Sequence, residues 1–209
     1  MPTGRVATKE LFEKLVAFGK KHGIIIVNDN PYSFILNNNP LSILSVEGAK
    51  DICIELNSMS KSHNMPGWRV GMLASNAQFV SWILKVKSNI DSGTFRSMQL
   101  AASEASMLGE EWYEEINNIY RPRRELAEEI ATMLECKFDS AHRGMFLWAK
   151  VPEKYKNGAE LADKILYEAR VFITPGMVFG SEGENFIRIS LCATEEKLKE
   201  AKERIKSIL

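Results

Sequence analysis

The stretch Ser58-Met-Ser-Lys-Ser-His-Asn-Met-Pro-Gly-Trp-Arg69 decides how this sequence is interpreted, because it places Lys61 among hydroxyl side chains and ends on an arginine. It follows an apolar run, 52–56, that is typical of a buried strand. A lysine attacks an aldehyde only as the neutral amine, a form that burial or a neighbouring cation favours, and Arg69 is a candidate for that cation. An isolated Ser-Lys-Ser is more often a surface loop, so the surrounding sequence must decide between the two.

Helical and strand patterns alternate along the chain, which predicts an α/β fold with a mostly parallel sheet. Apolar residues recur at helical spacing after Thr8, a plausible N-cap, and stop before Gly23, so a helix is predicted over 8–22. Continuous apolar runs predict strands that are covered on both faces. These strands are 24–27, 52–56 and 70–74; the helices that follow are 76–89, 96–107 and 110–135, the last with a kink or break at Pro122.

The pattern changes near residue 120, where a domain boundary is predicted between residues 1–119 and 120–209. The second part reads as a compact α+β unit. Its predicted elements are a strand at 146–151, a helix at 159–170, strands at 171–174 and 186–190, and a helix at 195–208.

Polar residues follow the first two predicted strands. Asp29 comes directly after the first, and Ser58 and Lys61 come after the second, so both strands deliver chemistry to one sheet edge. Arg69 precedes the third strand, so it lies near these residues only if the chain loops back across the site. A carboxylate such as Asp29 can keep a pyridine nitrogen protonated, and Tyr32 can donate to a phenolic ring oxygen. The alternative for Asp29-Asn-Pro-Tyr32 is an ordinary turn.

Composition excludes several classes of function. The 209 residues carry a formal net charge of zero, so we expect no nucleic-acid partner and no attraction to anionic membranes. Apolar runs are far shorter than the roughly 20 residues that span a bilayer. The three cysteines stand singly without ligand spacing, so no metal site is predicted. These features favour a cytoplasmic protein.

Several short motifs together resemble the ordered landmarks of class I/II aminotransferases, the fold-type I pyridoxal-phosphate enzymes. The resemblance runs over the whole chain and is specific because the motifs occur together in the family's order. The motifs are Pro2-Thr-Gly4, Asp29-Asn-Pro-Tyr32, Ser58-Met-Ser-Lys61, Gly67-Trp-Arg69-Val-Gly71, Thr174-Pro-Gly176, Phe179-Gly180 and Phe186-Ile-Arg188-Ile-Ser190.

The resemblance implies a role for each motif. Lys61 would form the Schiff base with pyridoxal 5'-phosphate and move the substrate's α-proton in a ping-pong amino-group transfer between amino acids and keto acids. Asp29 would pair with the pyridine nitrogen and Tyr32 with the ring oxygen. Ser58 and Arg69 would bind the phosphate. Arg188 would bind the substrate carboxylate; the alternative there is an arginine extending from an edge strand into solvent.

The sequence departs from the family pattern in three ways. His63 stands where an aromatic residue is usual, and we expect it to be packed or solvent-facing rather than to tune the Schiff base. Met1 stands where the family has an asparagine before Pro-Thr-Gly. The family pattern also begins well before that point. The resemblance therefore implies the C-terminal half of such an enzyme: part of the large cofactor-binding domain, followed by the small domain.

Two classes of function remain open. In the first, the chain is an aminotransferase or the half of one that bears the active site. In the second, it is a non-catalytic fragment that does not bind the cofactor usefully. Within the enzyme class, a decarboxylase or carbon–sulfur lyase of the same fold is the alternative. The segment 87–93 resembles interface loops of members that act on aspartate, alanine or diaminopimelate-like substrates, which favours dicarboxylic or small neutral amino acids. The resemblance also implies a homodimer for the full-length form.

Overall fold

The computed structural model describes all 209 residues and divides them into two compact units. One unit comprises Ala7–Tyr113, and the other comprises Met1–Val6 together with Glu114–Leu209. The domain boundary near residue 120 stays a prediction, and residue 120 lies within a helix, Glu110–Met133. None of the helices combines the length and the apolar character that a membrane crossing requires.

The first helix, α1 (Lys9–His22), begins and ends where its sequence predicts. The Thr8 hydroxyl oxygen accepts a hydrogen bond from the backbone N–H of Leu11 at 3.2 Å, which satisfies one of the free donors of the first turn. Gly23 takes the left-handed conformation at φ 65°, which lets its N–H return to the carbonyl of Gly19. Phe12 and Val16 form its buried stripe.

Three strands form the sheet of the 7–113 unit, in the order β1 (Ile26–Asp29), β2 (Cys53–Ser58) and β3 (Gly71–Ala74). β1 and β2 are parallel, with Asp29 opposite Leu56. β3 runs antiparallel to β2, with Gly71 opposite Ser58. Helices alternate with these strands along the chain, and the α/β fold class is confirmed.

The boundary of β1 differs from its prediction. The backbone N–H of Ile24 donates to Gly19 at 2.9 Å and so belongs to the end of α1. Pairing with the neighbouring strand starts only at Ile26, whose N–H reaches the carbonyl of Ile52 at 3.0 Å. Apolar character alone could not locate this change, because Ile24 and Ile26 are equally apolar.

The prediction that the strands are covered on both faces is wrong for the outer two. In β2, Cys53 and Ile54 point to opposite faces and both are buried. By contrast, Val27 in β1 is 54% exposed and Met72 in β3 is 50% exposed. Ile26, on the other face of β1, packs against the main core of this unit. Burial on both faces therefore applies to the central strand only. The buried residues of that core are Phe12, Val16, Ile43, Val46, Ala49 and Cys53.

The remaining helices of this unit are short or amphipathic. α2 (Met59–Ser62) has only four residues, α3 spans Ala77–Ile90, and α4 spans Arg96–Ser106. Asn76 caps α3 by accepting from the backbone N–H of Phe79 at 2.9 Å. The next helix, α5 (Glu110–Met133), continues through Pro122 without a break.

The second unit is built on an antiparallel sheet in the order β4 (Lys137–Phe138), β5 (Phe146–Lys150), β7 (Phe186–Ser190) and β6 (Thr174–Pro175). α6 (Gly158–Lys164) continues into a π-helical turn, Ile165–Ala169, and α7 spans Glu195–Lys206. This confirms an α+β unit. Its largest fully buried side chains are Ile130, Leu147, Leu161, Ile165, Ile187, Leu191 and Ile205.

The prediction of a strand at 171–174 is wrong for most of that range, because only Thr174 pairs with a neighbouring strand. Arg170 ends the helix in the left-handed conformation, at φ 57°, and the N–H of Val171 bonds back to Ile165. Val171 therefore completes the helix end, and residues 171–173 form no sheet ladder. Phe172 in this segment is 70% exposed.

Two glycines of the sequence motifs lie where no side chain fits. Gly4 has φ 74°, its carbonyl accepts from the N–H of Arg143 at 2.7 Å, and an added Cβ would meet the Arg143 carbonyl oxygen. Gly176 packs directly on the backbone of Gly183 and the ring of Trp148. A larger residue at either position would force backbone of the second unit apart.

Candidate functional site

One edge of the three-stranded sheet collects the polar residues that the sequence analysis selected from this unit. β1 ends at Asp29 and the parallel β2 ends at Ser58, so both deliver side chains beyond their carboxyl ends. Because β3 is antiparallel, its first residue, Gly71, pairs with Ser58. Arg69 therefore returns to the same edge, and the N–H of Met59 bonds to the carbonyl of Val70 at 3.2 Å. The chain does loop back across the site.

Lys61 lies at the centre of this edge on the short helix α2. The Ser58 hydroxyl oxygen caps that helix by accepting from the backbone N–H of Ser60 at 3.2 Å. Lys61 is half-buried, and its Nζ lies 5.9 Å from the ring centroid of Tyr32. Tyr32 belongs to the turn after β1, where its carbonyl accepts from the N–H of Ile35 at 3.0 Å. Lysine and phenol thus approach each other from two different strand ends.

Arg69 and the serine side chains provide a cluster of donors for an anion. Arg69 takes the left-handed conformation at φ 52°, and its Nη1 donates to the Ser60 hydroxyl at 3.4 Å and to the Pro66 carbonyl at 2.9 Å. The Ser58 hydroxyl accepts in its cap bond, which does not use its own proton. Guanidinium and hydroxyl groups in this arrangement suit phosphate oxygens.

Sequence reasoning missed Ser60, although it stands next to Lys61 in the quoted stretch. It also missed Glu55, which is buried in β2 and reaches the segment that follows β1. The Glu55 carboxylate accepts from the Ser42 hydroxyl at 2.6 Å, the Ile43 N–H at 2.9 Å and the Asn30 side chain at 3.3 Å. Asn30 adjoins Asp29, so this carboxylate fixes the backbone beside Asp29. A charged residue inside an otherwise apolar strand was the available signal.

His63 is packed rather than solvent-facing, in agreement with the first of the two expected states. It is 8% exposed, and its Nδ1 lies 2.9 Å from the Ser62 hydroxyl. Its Nε2 lies 3.4 Å from the hydroxyl of Tyr113. Burial lowers the pKa of His63, while the backbone of Ala105 acts in the opposite direction, and burial raises the pKa of Tyr113. The buried imidazole is therefore favoured in its neutral form.

Arg188 lies in the second unit, in the middle of β7. Its guanidinium carbon is 4.1 Å from the ring centroid of Phe146 and 4.3 Å from that of Phe179. Cation–π contacts use the faces of the guanidinium and leave its in-plane N–H groups to hydrogen bonds. The two aromatic partners limit the orientations that Arg188 can take. Phe179 was part of a sequence motif, whereas the role of Phe146 beside Arg188 was not foreseen.

The residues at the sheet edge fit pyridoxal phosphate, the cofactor that the resemblance implies. Lys61 supplies an amine, Asp29 an exposed carboxylate and Tyr32 a phenol. Arg69 adds a guanidinium that already bonds to a serine hydroxyl. An aldehyde, a protonated ring nitrogen, a ring hydroxyl and a phosphate require this set of groups. No residue type in the set conflicts with that cofactor.

Comparisons with known proteins agree with one another. Residues 1–205 match the family described as aminotransferase class I and II. The chain is 41% identical to an LL-diaminopimelate aminotransferase of Oleidesulfovibrio alaskensis and 42% identical to one of Aquifex aeolicus, and each match covers 99% of this chain and 54% of the relative. A solved structure described as a probable N-succinyldiaminopimelate aminotransferase from Thermus thermophilus is 31% identical with a TM-score of 0.90; that match covers 100% of this chain and 56% of the other. The chain spans about half the length of the curated relatives that it matches.

Proposed function

This chain belongs to the class I and II aminotransferases, and we propose that it carries the lysine, the cofactor contacts and the carboxylate-binding arginine of an enzyme that moves an amino group between an amino acid and a keto acid. Members of the family use pyridoxal phosphate. When bound, that group supplies an aldehyde and an electron-withdrawing ring. The observation that carries the proposal is the approach of Lys61 Nζ to the Tyr32 ring at the edge where Asp29 and Arg69 also lie.

Each residue has a task in this proposal. Lys61 would hold the aldehyde carbon of that group and would take the proton from the substrate Cα. Asp29 keeps the proton on the ring nitrogen because its negative charge stabilises the protonated form. Tyr32 donates to the ring oxygen. Ser58, Ser60 and Arg69 hold the phosphate through charge-assisted hydrogen bonds.

We propose LL-diaminopimelate as the amino-acid substrate of the complete enzyme. Support comes from the names of the curated relatives and from their identity of about two residues in five over nearly the whole chain. This amino acid has an ammonium and a carboxylate at each end, which agrees with the preference for dicarboxylic substrates drawn from the sequence. A homodimer and a cytoplasmic location stay predictions.

The proposal is tested by trapping the cofactor on the 209-residue chain. The chain is mixed with equimolar pyridoxal phosphate, reduced with borohydride, digested and mapped by mass spectrometry. We expect one dominant label, on Lys61, and new near-ultraviolet to visible absorbance before reduction. A Lys50→Ala variant, which removes an exposed lysine of the same unit, should label Lys61 equally. Label spread evenly over exposed lysines would instead support a non-catalytic fragment.

Arg188 provides a separate test of substrate binding. Replacing Arg188 with lysine keeps the charge but loses the planar fork that pairs with a carboxylate, so we expect KM for the amino acid to rise about 10- to 100-fold. Trapping of the cofactor on Lys61 should be unaffected. The matched control is Arg204→Lys on α7, an exposed arginine of the same unit whose replacement should leave KM unchanged. An unchanged KM in Arg188→Lys would remove this residue from the substrate site.

A further inference from the structure

The helix that carries Lys61 is too short to hold itself in place. α2 contains only four residues, about one helical turn. A helix this short has little stability of its own. Its position therefore depends on contacts from outside the helix. Besides the contacts of Met59 and Ser60 described above, outside contacts meet its last residue, Ser62, and the following His63.

Two residues in the first turn of α5, Trp112 and Tyr113, contact the end of α2. The indole N–H of Trp112 donates to the Ser62 carbonyl at 3.0 Å, which satisfies one of the free carbonyls at the end of α2. The neighbouring Tyr113 directs its hydroxyl to His63 Nε2 at 3.4 Å, with the two rings edge to face at 5.7 Å. Tyr113 is itself stacked on Phe34, with ring centroids 4.6 Å apart. Phe34 follows Tyr32 in the turn after β1.

Each ring nitrogen of His63 lies within reach of a hydroxyl group. The Ser62 hydroxyl lies 3.2 Å from the Ser58 carbonyl, to which it donates its only proton. The same oxygen lies 2.9 Å from His63 Nδ1, and the Tyr113 hydroxyl lies 3.4 Å from Nε2. Burial of His63 favours the neutral imidazole, in which one ring nitrogen donates and the other accepts.

From these contacts we propose that His63 and Tyr113 act as a positioning pair, which fixes the turn that bears Lys61 through the Ser62 hydroxyl and so sets the direction of the lysine amine. The pair connects the end of α2 to α5 and, through Phe34, to the Tyr32 turn. Neither residue needs to touch the cofactor or the substrate. The inference rests on the proposed function, because it concerns the capture of an aldehyde by Lys61.

Two variants remove the pair without emptying its space. His63→Phe keeps a buried ring but loses both ring nitrogens, and Tyr113→Phe keeps the stack on Phe34 but loses the hydroxyl. The control is Tyr120→Phe, which removes a partly buried phenol hydroxyl of α5 in the other unit. For each protein we would measure the rate at which pyridoxal phosphate is captured on Lys61, by absorbance and by borohydride mapping, and the urea midpoint of unfolding.

We expect each single variant to capture the cofactor about fivefold more slowly, the effect of losing one net hydrogen bond. The double variant should be little slower than either single one, because the two groups act through the same contact. His63→Gln, whose amide can still accept from Tyr113, should recover most of the rate. Urea midpoints of the single variants should change no more than that of Tyr120→Phe.

Two results would overturn the inference. Capture at the original rate in both variants would show that the pair does not position Lys61. A slower capture that merely follows a lower urea midpoint, without recovery in His63→Gln, would assign the pair to general stability. If the original chain took no label on Lys61, the proposed function would fall and this inference with it; label on Lys61 at equal rates in all variants would defeat the inference alone.

Discussion

Replacing Lys61 with alanine is expected to lower kcat for amino-group transfer by about 10⁴-fold, because general acid–base catalysis by a positioned side chain contributes up to that factor. The methyl group neither holds an aldehyde nor accepts a proton from the substrate Cα. Little stability should be lost, since the lysine is only half-buried and its amine lies 5.9 Å from the ring centroid of Tyr32. The variant should therefore fold and lack activity.

This prediction is measured on the enzyme with its cofactor, by keto-acid formation from LL-diaminopimelate under saturating substrate. Lys50→Ala serves as the control, because Lys50 is exposed and its recorded contact is through its backbone carbonyl. Circular dichroism of both variants checks the fold. Transamination by Lys61→Ala at a rate within tenfold of the original enzyme would remove Lys61 from the reaction. Release of carbon dioxide in place of keto acid would favour the decarboxylase alternative. Release of ammonia from a sulfur-containing amino acid without a keto-acid acceptor would favour the lyase.

The second large effect is expected for Asp29→Asn, which removes a charge at the end of β1 while keeping the size of the side chain. An opposite charge at a few Å shifts a pKa by about 1 to 3 units, so loss of the carboxylate should lower kcat by about 10- to 10³-fold through the ring nitrogen. Binding of the cofactor should weaken much less, because the residues proposed to bind its phosphate, Ser58 and Arg69, are unchanged.

The control for Asp29 is Asp51→Asn, at an exposed aspartate of the same unit. Asp51 forms an ion pair with Lys20 at 3.1 Å, and exposed pairs of this kind contribute at most about 1 kcal/mol. Its kcat should stay unchanged. Asp29→Glu, which keeps the charge but moves it, should fall between the two. Equal kcat in Asp29→Asn and Asp51→Asn would contradict the role given to Asp29.

Local features of the fold were predictable where one short segment determines them. Thr8 and Gly23 mark the ends of α1 because capping depends on a few neighbouring residues. Phe186–Ser190 was predicted to the residue because apolar and polar side chains alternate from Ile187 to Ser190. By contrast, the start of β1 depends on which residue first pairs with Ile52, and this cannot be recognised from a uniform apolar run.

The candidate site divides in the same way. Asp29 and Ser58 follow strands, so their placement at one edge could be predicted from the sequence. The return of Arg69 depends on the antiparallel direction of β3, which the apolar run 70–74 does not encode. The partners of His63 were out of reach for a different reason. Tyr113 is separated from it by fifty residues, and only tertiary packing brings the two rings together.

The pairing of Ser58 with Gly71 has a consequence for the evolution and engineering of this site. Residues 59–70 include both Lys61 and Arg69 and connect β2 to β3. Because these two strands are adjacent, the two ends of the segment are only about 5 Å apart. The pairing of Ser58 with Gly71 fixes both ends of this segment. A protein that received this segment in exchange would therefore have to supply the two anchoring strands and also the partners of Ser62 and His63.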